Sequence, residues 1–100
     1  MPPETMRALL IEEADGPLVL AEIPTPEPRP DEVLLQVGGC AVDRFDVAIR
    51  RGVRERATSL PHILGHEIAG NVAAAGEDVE RFSPGDRVAS TLYLVCGECR

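Results

Sequence analysis

Lysine and tryptophan are absent from this 100-residue sequence, and aromatic side chains are scarce. The three aromatic residues are Phe45, Phe82 and Tyr93, so we expect a core built from aliphatic side chains and alanine. All ten basic residues are arginine, and the net charge is −7. A chain with so acidic a balance lacks the basic surface that attracts nucleic acids and anionic membranes, and we expect neither as a partner.

No apolar run approaches the ~20 residues of a membrane-spanning helix, and the N-terminal segment MPPETMRALL lacks the features of a secretory signal. We therefore expect a cytoplasmic protein. In that reducing compartment the three cysteines, Cys40, Cys96 and Cys99, are expected to be thiols or metal ligands rather than disulfide partners. The apolar fraction of 44% is typical of a folded domain, and the length indicates a single one.

Short strands separated by turns dominate the pattern. The predicted strands cover residues 6–13, 17–23, 32–37 and 67–76. Residues 83–91 contain a proline–glycine turn that leads into another strand, which residues 91–95 would continue. The first two flank an Ala-Asp-Gly turn and are typical of a β-hairpin. In the third, Val33, Leu35 and Val37 alternate on one face, as in a half-buried strand. Such strands with one short helix indicate a small β-barrel.

One helix is predicted over residues 42–51, where the apolar period changes. Its apolar face consists of Val42, Phe45 and Ile49. The acidic Asp43 and Asp46 lie in the first turn and arginines in the last, as the helix dipole favours. Asp46 and Arg50 are also spaced for an i,i+4 ion pair. Gly52 suits the C-terminal cap.

Two residues stand out as candidate metal ligands. Cys40 immediately precedes the predicted helix, where free backbone N–H groups favour the thiolate, the form that binds zinc. His66 lies in the segment LGHEIAG, beside a glycine and next to Glu67. Taken singly, Cys40 is equally typical of a small buried apolar residue, His66 of a hydrogen-bonded turn and Glu67 of a charged surface. His62 shows no partner pattern, and we interpret it as a surface residue.

The motifs together resemble a known family. In chain order they are VGGCAVDRFD (37–46), LGHEIAGNVAAAGEDV (64–79), SPGDRV (83–88) and CGEC (96–99). This set is similar to that of the zinc-containing alcohol dehydrogenases, within the medium-chain dehydrogenase/reductase superfamily. The resemblance implies that residues 1–100 are the N-terminal part of a GroES-like catalytic domain. The rest of the barrel and a Rossmann domain would lie in further sequence, so we expect the chain to be part of a longer protein.

The resemblance also implies roles for four residues near the helix. Cys40 and His66 would be two ligands of a catalytic zinc ion, and a third would come from beyond residue 100. Glu67 would be a nearby carboxylate, able to ligate the ion when no substrate does or to act next to the ligands without binding the ion. Asp43 would accept the other ring N–H of His66 and so fix its tautomer.

A second zinc site is implied at the C-terminal end. Cys96 and Cys99 would be two of the four thiolates that hold a structural zinc ion, which two ligands alone cannot close. A redox dithiol is the alternative for such a pair, but it expects a βαβ setting that the pattern lacks.

The implied function is hydride transfer between NAD or NADP and a small alcohol or carbonyl substrate, in an enzyme expected to be a homo-oligomer. No G-x-G-x-x-G motif follows a strand, so the nucleotide would bind in the missing domain and we expect residues 1–100 alone to be inactive.

Val42 and Phe45 replace the hydroxyl and histidine of the proton relay that many family members carry. Two alternatives are a zinc-free quinone or enoyl reductase of the same superfamily and a non-catalytic GroES-like module.

Overall fold

The computed structural model describes residues 2–53, 58–91 and 93–99. Its elements are β1 (Thr5–Ile11), β2 (Leu18–Pro24), β3 (Val33–Cys40), α1 (Arg44–Arg50), β4 (His62–Ile63), β5 (Ile68–Ala75) and β6 (Arg87–Ala89). The strands form two antiparallel three-stranded sheets, ordered β2-β1-β4 and β3-β5-β6. The predicted fold class, mainly β with one short helix, is therefore confirmed. In the described ranges no helix is long and apolar enough to cross a membrane.

The first sheet is built on the predicted hairpin. β1 and β2 pair in register along their whole length, from Thr5 opposite Pro24 to Ile11 opposite Leu18. Asp15 takes the left-handed conformation in the turn, with φ of 59°, which aspartate tolerates better than most residues. β1 also supplies most of the buried apolar core, with Ile11 only 1% exposed. Among the residues that the structure describes, the buried apolar side chains are thus concentrated on this strand.

The second sheet contains or adjoins the predicted metal ligands. β3 pairs with β5 so that Cys40 lies opposite Ile68, the residue that follows Glu67. A glycine is required at position 70, because a Cβ there would lie 2.1 Å from the backbone oxygen of Gln36. This close approach brings the end of β3 against the start of β5.

Helix α1 begins two residues after the predicted start at 42 and ends one residue before the predicted end at 51. Asp43 is the N-cap, and its carboxylate accepts hydrogen bonds from the backbone N–H groups of Phe45 and Asp46. The Asp46 carboxylate accepts in return from the Asp43 backbone N–H at 3.0 Å, which completes a capping box. Beyond the C-cap, Gly52 has φ of 84°, the conformation that favours glycine.

Three details of the prediction are wrong. Val42 precedes the helix instead of packing along it, and it is 83% exposed. Asp46 and Arg50 form no ion pair, because Asp46 is buried at 4% exposure, whereas the Arg50 guanidinium lies 4.0 Å from the Asp15 carboxylate. In β3, Val37 is 56% exposed, since register shifts on both sides of it break the alternation.

The strand at the C-terminal end is shorter than predicted. β6 ends at Ala89, and the described residues of segment 91–95 are not in a strand. Residues 54–57 and residue 92 lie outside the described residues. Across the described part, the two sheets do not close into a barrel. A cavity of about 1000 Å³ is lined by residues of both sheets.

Candidate metal centre around His66

The pairing of β3 with β5 brings the predicted ligands to one place. Just past Cys40, the Ala41 N–H donates a 2.9 Å hydrogen bond to the Glu67 carbonyl. Gly65 has φ of 112°, and a Cβ at that position would lie 2.6 Å from the Cys40 sulfur. Glycine at position 65 therefore leaves space for the sulfur next to His66. Cys40 and Glu67 also line the same open cleft, with a volume of about 610 Å³.

His66 is held by contacts on both ring nitrogens. Its Nε2 lies 3.0 Å from Asp43 Oδ2, and its Nδ1 lies 3.6 Å from Asp46 Oδ1. The Phe45 ring meets the imidazole edge to face, with centroids 5.3 Å apart and an interplanar angle of 85°. The His66 side chain is 15% exposed, so the imidazole is fixed in place but reachable from solvent.

Three of the side chains near α1 form a group suited to a metal ion. One ligand atom from each of Asp43, His66 and Glu67 lies within 4.8 Å of the other two. Ligands of one tetrahedral zinc ion stand about 3.3–3.8 Å apart, as its bond lengths require, so small side-chain rotations would bring these atoms into range. Imidazole and carboxylate are both donors that zinc accepts, so the residues fit the ion.

The composition of this group differs from the prediction in one respect. Asp43, expected only to support His66, is a member, whereas Cys40 is not, although its sulfur lies against Gly65. Cys40 is exposed, and its thiol makes only a 3.8 Å contact with the Ala41 carbonyl oxygen. The roles of Cys40, His66 and Glu67 as ligands stay a prediction.

The surroundings of the Asp43 carboxylate favour its anionic form. Partial desolvation raises its pKa, but the backbone N–H groups of Asp46 and Phe45 and the nearby His66 ring lower it by more, so the pKa lies below its ordinary value. At neutral pH Asp43 is therefore ionised, the form that both caps α1 and can face a cation.

The second predicted site contains the paired cysteines. The Cys96 and Cys99 sulfurs are 3.1 Å apart, and both residues are free and exposed. The side-chain hydrogen bond between Cys96 and Cys99, together with the backbone N–H groups of Cys99 and Glu98, lowers the pKa of Cys96 to about 7. The pair is thus arranged to offer a thiolate at neutral pH, as a soft metal requires.

Sequence reasoning missed the role of Asp46. It was assigned to the helix dipole and to Arg50, but the carboxylate is buried and faces His66. The spacing Asp43-x-x-Asp46, which permits a capping box, is the sequence signal that could have shown this carboxylate turning back toward the helix start.

Solved structures define the class of the fold. The chain superposes on the cobalt- and zinc-bound thermostable alcohol dehydrogenase from Pyrobaculum aerophilum with a TM-score of 0.88 and 39% identity, covering 96% of this chain and 29% of that one. Residues 29–100 match the model of the alcohol dehydrogenase GroES-like domain. The chain belongs to this family. The predicted resemblance to the zinc-containing medium-chain dehydrogenases is therefore confirmed for the family and the fold.

Curated relatives include more than one activity. The L-threonine 3-dehydrogenase of Streptomyces avermitilis is 40% identical over 97 residues, which cover 95% of this chain and 28% of that protein. The quinone oxidoreductase of Lama guanicoe is 39% identical over 95 residues, covering 92% of this chain and 29% of that protein. The chain spans less than a third of the length of these relatives.

Proposed function

We propose that this chain is the N-terminal part of the catalytic domain of a zinc-dependent oxidoreductase, which transfers hydride between NAD or NADP and an alcohol or carbonyl substrate. The main observation in support of the proposal is the group formed by Asp43, His66 and Glu67. The Cys40 sulfur lies close to Gly65, the residue that precedes His66. The oxidoreductase class follows from the dehydrogenase relatives. The zinc, the nucleotide and the substrate are our proposal for the full-length protein, meaning this chain together with the remaining sequence of the enzyme.

In this proposal Cys40 and His66 hold the ion, and the cleft that Cys40 and Glu67 share admits the substrate. A bound zinc ion would act as a Lewis acid on the substrate oxygen, favouring loss of the hydroxyl proton in one direction and polarising the carbonyl in the other. The nicotinamide carries the hydride. The work of the protein is to hold the imidazole rigidly, and the contacts with Asp43, Asp46 and Phe45 do so.

Proton movement at this site needs a route that avoids Val42. Its side chain is hydrocarbon and 83% exposed, so it neither donates nor accepts a proton. Phe45 offers only its ring, which packs against His66. Glu67 is exposed and belongs to the same group as His66, so we propose this carboxylate as the group that exchanges a proton with solvent.

A zinc-free quinone or enoyl reductase is the second candidate. It is favoured by the quinone oxidoreductase relative and by the replacement of the relay residues with Val42 and Phe45. Against it, that activity requires no metal ligands, whereas this chain brings His66, Asp43 and Glu67 together and also carries the Cys96–Cys99 pair. We therefore prefer the zinc-dependent enzyme.

Metal analysis of the full-length protein tests the proposal. We expect two zinc ions per subunit in the wild type and one in His66→Ala or Cys40→Ser, because each variant removes a ligand of the catalytic ion. Cys96→Ser should lose the structural ion and keep the catalytic one. His62→Ala, which replaces the other histidine of the chain, is the matched control and should keep both.

Two outcomes would overturn the zinc proposal. Wild-type protein free of zinc after mild purification, yet active on quinones or enones, would establish the second candidate. A metal-free protein that sediments as a closed ring and oxidises no NAD(P)H would establish the non-catalytic module. For the enzyme we further propose a cytoplasmic homo-oligomer, which fractionation and sedimentation of the full-length protein would check.

A further inference from the structure

The two cysteines near residue 100 lie close enough to react with each other. The Cys96 and Cys99 sulfurs are 3.1 Å apart, about 1 Å more than the length of an S–S bond. Both thiols are free and both residues are exposed, so a small oxidant reaches them without any opening of the fold. The third cysteine, Cys40, contacts the Ala41 carbonyl oxygen at 3.8 Å rather than another sulfur.

A tight bend holds the pair in this arrangement. Gly97 has φ of 78°, a conformation that favours glycine, and it lets the chain reverse between the two cysteines. The backbone N–H groups of Glu98 and Cys99 both donate to the Cys96 sulfur, at 3.5 and 3.3 Å. Because these donors stabilise charge on Cys96, we expect this sulfur to attack first and the Cys99 sulfur to complete the reaction.

We propose that Cys96 and Cys99 form a redox modification site, which a small disulfide such as oxidised glutathione converts from a dithiol to an intramolecular disulfide. In the first step the Cys96 thiolate attacks one glutathione sulfur, so that a mixed disulfide forms and one glutathione thiolate leaves. In the second step the Cys99 thiolate attacks the Cys96 sulfur, and the second glutathione thiolate leaves. The protein gives up two electrons and two protons, and one oxidised glutathione becomes two reduced glutathione molecules.

This site differs from a catalytic redox dithiol. A catalytic C-x-x-C pair is typical of a βαβ setting, whereas Cys96 and Cys99 lie in a bend after β6. A pair that only opens and closes needs two sulfurs near each other and access to solvent, and this pair has both. The consequence for zinc rests on the proposed function. The disulfide has no thiolate to offer, so it excludes the structural ion.

The test is mass mapping of the metal-free full-length protein after equilibration with oxidised and reduced glutathione. Trypsin cleaves after Arg87, and both cysteines lie in the peptide that begins at residue 88. We expect this peptide to become lighter by two hydrogen atoms and to carry no glutathione.

Cys99→Ser is the matched control, because it removes the second sulfur and keeps the one that attacks first. Its peptide should retain glutathione on Cys96 and form no internal disulfide. The proposal would be overturned if the wild-type peptide retained glutathione to the same extent. It would also be overturned if Cys96 became linked to a cysteine beyond residue 100.

A second measurement separates the effect of the fold from that of the bare C-x-x-C sequence. At a fixed concentration of reduced glutathione, half of the folded metal-free protein should be oxidised at a concentration of oxidised glutathione about tenfold lower than in urea-unfolded protein. The reason is that the fold already holds the two sulfurs together. Equal concentrations would overturn the proposal, since the bend would then contribute nothing.

Zinc binding to the two forms tests the exclusion of the ion. The comparison uses Cys40→Ser, so that oxidation of Cys40 makes no contribution. The reduced protein should bind one zinc ion per subunit and the disulfide form none, and dithiothreitol should restore binding. Equal binding would overturn the exclusion. A reduced wild type without zinc would refute the proposed function but would not affect the mass mapping, so the two failures are distinguishable.

Discussion

Gly70→Ala should separate β3 from β5 and so disturb the site that the two strands build. The added Cβ would lie 2.1 Å from the Gln36 backbone oxygen, more than 1 Å inside ordinary contact at 3.4 Å. The Gln36 oxygen belongs to the backbone and the position of the added Cβ is fixed by the backbone of residue 70, so no side-chain rotation can relieve the contact. Overpacking of this kind costs about 1–3 kcal/mol. Because the same ladder sets Cys40 opposite Ile68, zinc affinity should fall with it.

Hydrogen exchange in the full-length protein measures the loss of stability at the pairing of β3 with β5. A loss of about 1–3 kcal/mol should speed exchange of the β3 and β5 amides by about 5–150-fold, when they exchange through local opening. Gly39→Ala is the control, since it adds the same methyl group to β3 with nothing within 4 Å, and it should change stability by less than about 0.5 kcal/mol. If the amides of Gly70→Ala exchanged as slowly as those of Gly39→Ala, the close approach would not exist.

Three further predictions follow from burial, from charge and from the proposal that residues 1–100 are part of a longer enzyme. Ile11→Ala should lower the free energy of unfolding by about 2–5 kcal/mol, because Ile11 is 1% exposed. Leu9 lies in the same strand but is 51% exposed, so Leu9→Ala should lower that free energy far less; urea unfolding of both variants measures the difference. In metal-free protein the alkylation rate of Cys96 should rise with pH through a midpoint of about 7, because the thiolate is the reactive form. Cys99→Ala should move that midpoint upward, and a wild-type midpoint near 9 would contradict the lowered pKa of Cys96. The chain of residues 1–100 alone should consume no NAD(P)H and should unfold at low urea concentration; a cooperative, high-temperature melt would count against the open sheet edges.

Local signals in the sequence were sufficient for the hairpin and the helix. The Ala-Asp-Gly turn between two apolar runs predicts the β1–β2 pair, and the structure pairs them in full register. Gly52 has the positive φ expected at the end of α1, whereas Asp43, predicted to lie within the first turn, is the N-cap, a position that needs a side-chain acceptor. Both features depend only on residues near each other in the chain.

The features that sequence reasoning missed depend on distant contacts. The two-residue strand β4 (His62–Ile63) has no periodicity to detect, and it exists because it pairs with Leu10 and Ile11. The exposure of Val37 follows from register shifts that pairing with β5 imposes. In the same way, Asp46 appears in the sequence only as a charge in a helix, and its burial becomes visible once His66 is folded against α1.

The capping box and the proposed metal site share Asp43 and its contacts with His66, so a change in one should change the other. Asp43 places one oxygen on the N–H groups at the start of α1 and the other on His66, and Asp46 divides its two oxygens between the Asp43 N–H and the other side of the same ring. Fraying of the first helical turn would therefore release the imidazole on both sides at once. A helix of seven residues has little stability of its own, so ligand geometry at His66 and helix formation should be gained and lost together.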